Sequence, residues 1–218
     1  MRYTDAISTQ KSQVVNKTLR NTYGLLSVTL LFSALTAALS IAWQLPHPGI
    51  IITLVGFYGL LFLTHKFQNS SLGLVCVFAL TGFMGLTLGP IISYYLNTPN
   101  GSSMVMSALG ITGIAFLGLS AYAVTSKKDF SFLNGFIVVG FFVLIAAMIA
   151  SFFIQMPALN MFISAGFALF SAAVILWQTG EIVRGGETNY ILATVNLYVS
   201  IYNMFISILS LLGMSNDD

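Results

Sequence analysis

Seven long apolar runs dominate this sequence, and they restrict it to a membrane environment. Each run is close to the length of about 20 residues that an α-helix needs to cross the hydrocarbon core of a bilayer. The runs are continuous rather than alternating, which excludes a transmembrane barrel and predicts an all-α membrane protein with seven helices. The predicted spans are Gly24–Leu45, Gly49–Thr64, Leu72–Leu96, Ser103–Thr125, Ser131–Gln155, Ala158–Thr179 and Asn189–Gly213.

The eight Lys and Arg residues all lie between these runs, and only in alternate gaps. The gaps after the first, third and fifth runs contain none. Short loops that carry Lys and Arg stay in the cytoplasm, so the pattern predicts a cytoplasmic N-terminus and a C-terminus on the opposite side. The basic residues are Arg2, Lys11, Lys17, Arg20, Lys66, Lys127, Lys128 and Arg184.

The composition leaves no room for a separate soluble domain. Hydrophobic residues make up 57% of the chain and charged residues 6%, against about 25% charged residues in soluble domains. We expect residues 1–20, which are polar and show no hydrophobic periodicity, to form a cytoplasmic tail, and residues 21–218 to form the seven-helix domain. The net charge of +2 and the absence of a basic patch do not indicate a nucleic-acid partner.

Ionisable side chains are missing from the interior of every predicted span. Each charged residue lies in the tail, in a loop or in the last turn of a span, although proton relays and ion pathways usually need such residues inside the membrane. His47 and His65 lie at opposite ends of the second span, so they cannot share a metal ion. We therefore expect neither an enzyme nor a bound cofactor or metal.

Small residues recur at intervals that allow two helices to approach closely, and they are predicted to mark helix contacts. Pro90, inside the third span, is expected to kink or break that helix unless a neighbour satisfies the carbonyl group it frees. The small residues are Gly82, Gly85 and Gly89; Gly110 and Gly113; and Ala34, Ala37 and Ala38.

The seventh span carries most of the polarity within the predicted membrane region. Its polar residues are spaced by three and four positions, which places them along one side of a helix. This stripe must face protein or water, because an unpaired amide in hydrocarbon is costly. It either holds the helix against its neighbours or lines a polar path, with Gln178 of the sixth span as its expected partner. The stripe contains Asn189, Asn196, Ser200, Asn203, Ser207 and Ser210, flanked by Tyr190, Thr194, Tyr198 and Tyr202.

Charged residues cluster at the cytoplasmic end of the sixth span. Glu181 and Arg184 are three residues apart and close enough to pair on one helix face. Glu187 precedes the seventh span, and Asp129 lies in the neighbouring inner loop. These residues form either an ionic latch across the cytoplasmic mouth or an ordinary solvated loop.

A family likeness is carried by the stretch Leu176–Phe205 and by four shorter segments, Arg20–Tyr23, Leu54–Leu60, Leu88–Ile91 and Gly185–Ile191. The long stretch resembles the last two helices of the Bax inhibitor-1 family, and the shorter segments resemble its bacterial branch. That resemblance implies a seven-helix bundle with a central seventh helix. Many members of the family are described as calcium leaks in which two aspartates share a proton and gate the path. Here Gln178 and Ser200 replace those aspartates, which argues against a proton-gated leak of the usual kind.

The bacterial branch implies a second activity, the restraint of an FtsH-type AAA+ membrane protease in the inner membrane. In that reading the tail with Lys11, Lys17 and Arg20 faces the protease, and the C-terminus is periplasmic. The alternatives are a tail that only anchors the topology, a cation leak that takes calcium, and a purely structural partner in the lipid bilayer.

Overall fold

Seven α-helices make up most of the structure, a computed structural model that describes residues 2–126 and 128–215, with side chains from residue 12 onward. These described residues contain no β-strand. All seven helices are long and apolar enough to cross a membrane, which confirms the predicted fold class and span number. The helices are α1 (Arg2–Ala42), α2 (Ile50–Phe67), α3 (Ser71–Leu96), α4 (Gly101–Thr125), α5 (Leu133–Ser151), α6 (Pro157–Arg184) and α7 (Tyr190–Met214).

The first helix begins far earlier than the predicted span, which was expected to start at Gly24. Helix α1 has 41 residues and is therefore about 60 Å long, roughly twice the hydrocarbon thickness of a bilayer. The tail is thus helical from Arg2 and continuous with the first span. Residues 2–20 contain neither Gly nor Pro, so a helix nucleated in the span can extend through them at little cost.

Large apolar side chains cover much of the outer surface. Ile51, Ile114 and Phe153 are each more than 70% exposed, and the apolar windows of α2 and α5 are almost entirely unburied. Exposed aliphatic and aromatic surface on this scale needs an apolar solvent, as expected for a multi-pass membrane protein. Helices α3 and α7 have the largest buried share of the seven described helices.

The helices form two compact units. The first contains α1, α2 and α3 together with Arg184–Tyr198, so it includes the opening turns of α7. The second contains Asn100–Val183 and α7 from Val199 onward. The polar stripe predicted along the seventh span is therefore shared between two separate packing environments.

Glycines bring α1 and α3 together in the first unit. A β-carbon at Gly85 would overlap the backbone oxygen of Ser33 and the hydroxyl of Thr36, and one at Gly82 would overlap the ring of Phe32. The predicted contact face of α3 is therefore confirmed, and it depends on direct backbone approach.

Pro90 does not interrupt α3, because a neighbouring helix supplies the missing donor. Proline has no N–H, so it leaves the carbonyl four residues earlier, that of Leu86, without its helical partner. The hydroxyl of Ser40 on α1 donates to this oxygen at 2.9 Å. The helix is continuous from Ser71 to Leu96, as predicted for a proline whose freed carbonyl is satisfied by a neighbour.

Other small residues do not make the predicted contacts. Nothing lies within 4 Å of a β-carbon placed at Gly110 or Gly113, and Ala34 and Ala38 are exposed whereas Ala37 is buried. The prediction of contact faces at Gly110 and Gly113 is wrong within this chain. Small residues permit close approach, but they do not determine whether a helix of the same chain lies opposite.

Candidate functional site

The opening turns of α7 are fixed in the first unit by hydroxyl groups. The side chain of Tyr198 is 1% exposed; its hydroxyl shares a hydrogen bond of 2.6 Å with that of Ser33 and donates to the carbonyl of Thr81 at 3.2 Å. One level earlier, the hydroxyl of Thr194 donates to the carbonyls of Tyr190 and Thr22. These contacts join α7 to α1 and α3, and they support the packing role of this part of the stripe.

Asn189 is a helix cap rather than a member of an intramembrane stripe. Its Oδ1 accepts hydrogen bonds from the backbone N–H groups of Ile191 and Leu192 at 3.0 and 3.3 Å. Its Nδ2 donates to the carbonyl of Gln68 and to Oδ1 of Asn69. Capping satisfies amides that the first turn of a helix otherwise leaves unpaired, so Asn189 both starts α7 and attaches it to the loop after α2.

The amides and hydroxyls farther along the stripe vary in exposure. Asn196, in the first unit, is half-buried, as are Tyr202 and Asn203 in the second. Ser200, also in the second unit, is 5% exposed. Near the far end of α7, the hydroxyl of Ser164 on α6 donates to that of Ser210 at 3.1 Å.

Gln178 is one of the most deeply buried polar side chains in the second unit, at 1% exposure. It lies on α6, as predicted, next to the equally buried Thr179. Helix α6 continues past its predicted end at Thr179 to Arg184. It ends there because the next residue, Gly185, adopts a positive φ of 76°. Glu181 is therefore on a helix and not in a loop.

The four charged residues that the sequence predicts at a cytoplasmic mouth occupy different local settings. Glu181 and Arg184 are half-buried on the last turns of α6. The carboxylate of Asp129 accepts the backbone N–H of Ser131 at 2.8 Å, and that of Glu187 accepts the N–H of Asn189 at 2.7 Å. Two of the carboxylates thus shape local turns, and the latch remains a proposal.

An aromatic residue packs the loop between α4 and α5 against α6, next to Glu181. Phe130, next to Asp129 in the chain, is 3% exposed. Its ring lies against Gly180 of α6, where a β-carbon would come within 2.9 Å of it, and its centroid is 5.8 Å from that of Tyr122. This contact was not predicted, because a single aromatic residue in a loop does not indicate which helix it packs against.

A hydrogen bond connects the base of the tail to the segment before α7 in the first unit. Lys17 and Arg20 are exposed on α1, whereas Thr18 between them is buried and donates to the carbonyl of Thr188 at 3.4 Å. The side chain of Lys11 and the whole of Lys127 lie outside the described residues. The exposed cations are therefore displayed on a helix.

A row of hydroxyls along α1 was missed in the sequence. Its members are spaced by four or seven residues and lie on a buried face of the helix, where Ser33 bonds to α7 and Ser40 bonds to α3. The spacing could have indicated this row, but Ser and Thr are common in membrane helices and are a weaker signal than the amides of α7. The row contains Thr18, Thr22, Thr29, Ser33 and Ser40, all buried.

Among the described residues, no three His, Cys, Asp or Glu side chains stand close enough together to hold a metal ion. The polar stripe and the residues that flank it carry hydroxyls, amides and phenols. Such groups donate and accept hydrogen bonds without changing charge near neutral pH. The arrangement is suited to packing and to contact with a partner or with water.

Comparison with known proteins gives matches along almost the whole chain. Residues 15–217 match the family described as Inhibitor of apoptosis-promoting Bax1. The Escherichia coli K12 protein named Modulator of FtsH protease YccA is 52% identical over 203 residues, which are 93% of this chain and 92% of that protein. An uncharacterized Pseudomonas aeruginosa protein is 57% identical over 204 residues, 94% and 92% of the two chains. An uncharacterized membrane protein of Vibrio cholerae is 43% identical over 217 residues, 99% and 97% of the two.

Proposed function

The chain belongs to the family described as Inhibitor of apoptosis-promoting Bax1, and we propose that it is a non-enzymatic inner-membrane modulator that restrains an FtsH-type protease. The observation that carries this proposal is the 52% identity, over 93% of the chain, to the E. coli protein named for that role. The match extends over 93% of this chain and 92% of that protein, so it is not confined to one segment. The family resemblance drawn from the sequence is confirmed.

The N-terminal helix supplies the element that we assign to contact with the protease. The basic residues of the sequence favour a cytoplasmic N-terminus and a periplasmic C-terminus. Helix α1 is long enough to cross the bilayer and then extend roughly 30 Å beyond it. Lys17 and Arg20 are exposed along this extension, while the hydrogen bond from Thr18 to Thr188 holds its base.

Deletion of residues 2–16 tests this assignment while keeping Thr18 in place. We expect the shortened protein to insert and fold, but to co-purify less with the protease and to relieve its restraint on membrane substrates. A matched control carries residues 2–16 in scrambled order, which keeps length, composition and charge. Unchanged co-purification and substrate turnover after the deletion would reject a role for the tail.

A cation leak is the second candidate, favoured by the burial of uncharged polar groups inside the apolar helices. Gln178 and Ser200 are both buried in the second unit, and Asn203 is half-buried there. Its test is calcium flux into proteoliposomes at several pH values, with Asn203→Leu as the variant and Ser102→Leu, at an exposed position of α4, as the control. A robust pH-dependent flux lost only in Asn203→Leu would favour the leak over the modulator.

The ionic latch belongs to this second candidate. Glu181 and Arg184 lie one turn apart on α6, and the docking of Phe130 on Gly180 brings the loop of Asp129 towards the same turn. If the latch closes a path, Arg184→Gln raises the calcium flux, whereas a solvated loop predicts no change. If the parent and the variants all show neither calcium flux nor an effect on the protease, the remaining function is that of a purely structural membrane partner.

A further inference from the structure

A polar pocket of about 500 Å³ lies in the first unit, where the loop between α2 and α3 meets the start of α7. Its volume is within the usual range of small-molecule sites. Seven of its nine lining residues carry a hydroxyl or an amide group, and none of the nine is an acid or a basic residue. The lining residues are Gln68, Asn69, Ser70, Ser71, Leu74, Thr188, Asn189, Tyr190 and Ile191.

The pocket lies at the level where two membrane helices end. Helix α3 begins at Ser71 and α7 at Tyr190, so their first turns mark the boundary between hydrocarbon and headgroups. Next to the lining residues of α3, Leu72 and Val75 are 54% and 63% exposed. A ligand here meets hydrogen-bonding groups at one end and bilayer-facing apolar surface beside them. That combination matches a phospholipid, with its headgroup in the pocket and its chains along α3.

The pocket offers both donors and acceptors. The side chain of Ser70 makes no capping bond to α3; its hydroxyl donates instead to the carbonyl of Phe67 at 3.1 Å. The first-turn amides of α3 therefore have no side-chain cap, and such amides bind phosphate oxygens well. At the start of α7 the amides are already bonded, one of them to the carboxylate of Glu187, which leaves negative charge on that side.

We propose that this pocket binds the headgroup of a zwitterionic phospholipid. The phosphate lies at the first turn of α3, near Ser70 and Ser71, and the ammonium group lies towards Glu187 and the amide oxygen of Asn69. The Glu187 carboxylate attracts the ammonium group and repels a headgroup of net negative charge, which favours a zwitterionic over an anionic lipid. Bound there, the lipid ties the loop after α2 to the start of α7.

The variant Ser71→Asp tests the site without weakening the helix. An acid in the first turn favours helix formation, but here it repels the phosphate. The matched control is Ser102→Asp, the same change in the first turn of α4 at an exposed position that lies outside the pocket. Native mass spectrometry of the full chain, titrated with phosphatidylethanolamine or phosphatidylglycerol, measures occupancy. We expect phosphatidylethanolamine binding to fall roughly tenfold or more in Ser71→Asp and to stay at the parent level in Ser102→Asp.

A second variant covers the case in which Ser71→Asp alters folding. Thr188→Val keeps the shape of an exposed lining residue and removes one hydroxyl, so we expect a loss of about two- to tenfold in binding. Equal occupancy in the parent and both pocket variants would overturn the proposal, as would tighter binding of phosphatidylglycerol. Displacement of the lipid by inorganic phosphate at matched concentration would also overturn it, since it would assign the site to free phosphate.

Discussion

Replacing Ser40 by alanine tests how α3 continues through Pro90. The substitution removes the only described donor to the Leu86 carbonyl, whose helical partner the proline has already eliminated. An unsatisfied buried carbonyl costs about 1–3 kcal/mol, and hydrogen bonds between membrane helices are worth at most about 1.7 kcal/mol. We therefore expect Ser40→Ala to lower the free energy of unfolding by about 1–2 kcal/mol.

A double-mutant cycle separates this hydrogen bond from a general loss of packing. Pro90→Ala restores a backbone N–H that can bond to Leu86, so Ser40→Ala in that background is expected to cost about 1 kcal/mol less. The assay is reversible unfolding in mixed micelles, followed by circular dichroism. Ser27→Ala is the control, because Ser27 is exposed and donates to the carbonyl of Tyr23 within its own helix. The reasoning is refuted if Ser40→Ala lowers the free energy of unfolding by the same amount, within about 0.5 kcal/mol, in the parent and in the Pro90→Ala variant.

Two further substitutions probe the first unit. Gly85→Ala places a methyl group against the backbone of Ser33 and is expected to cost about 1–3 kcal/mol of unfolding free energy. Gly113→Ala, which meets open space, is expected to leave the free energy of unfolding within about 0.5 kcal/mol of the parent. A similar cost for both substitutions would contradict the assigned contact between α1 and α3. Tyr198→Phe strands the Ser33 hydroxyl and is expected to cost about 1–2 kcal/mol, whereas an unchanged unfolding midpoint would show that these bonds do not hold α7.

The number of spans and most helix ends were predictable because lipid penalises unpaired backbone and charge so strongly. The predicted ends at Leu96 and Thr125 coincide with the ends of α3 and α4, where turn residues or a polar loop follow a full-length apolar run. The start of α1 was not predictable in this way. Helix propagation into a polar tail depends on the absence of breaking residues and not on hydrophobicity.

The partners of the small and polar residues could not be read from spacing. Gly85 and Gly113 sit in similar sequence patterns, yet only Gly85 faces another helix of the chain. Asn189 fits the polar stripe predicted along the seventh span but acts as a cap, because the loop after α2 offers acceptors for its amide. Spacing identifies the face of a helix, whereas the chain topology decides what lies opposite.

The kind of polarity buried in α6 and α7 bears on which proposed function is favoured. Gln178 and Ser200 are almost fully buried, and neither can gain or lose a proton near neutral pH. A gate worked by protons needs a group that titrates inside the path, because a change of charge there has the largest effect on ion passage. A polar face made of amides and hydroxyls is better suited to fixed helix contacts, which favours a protein that acts through its surface on a partner over one that opens in response to protons.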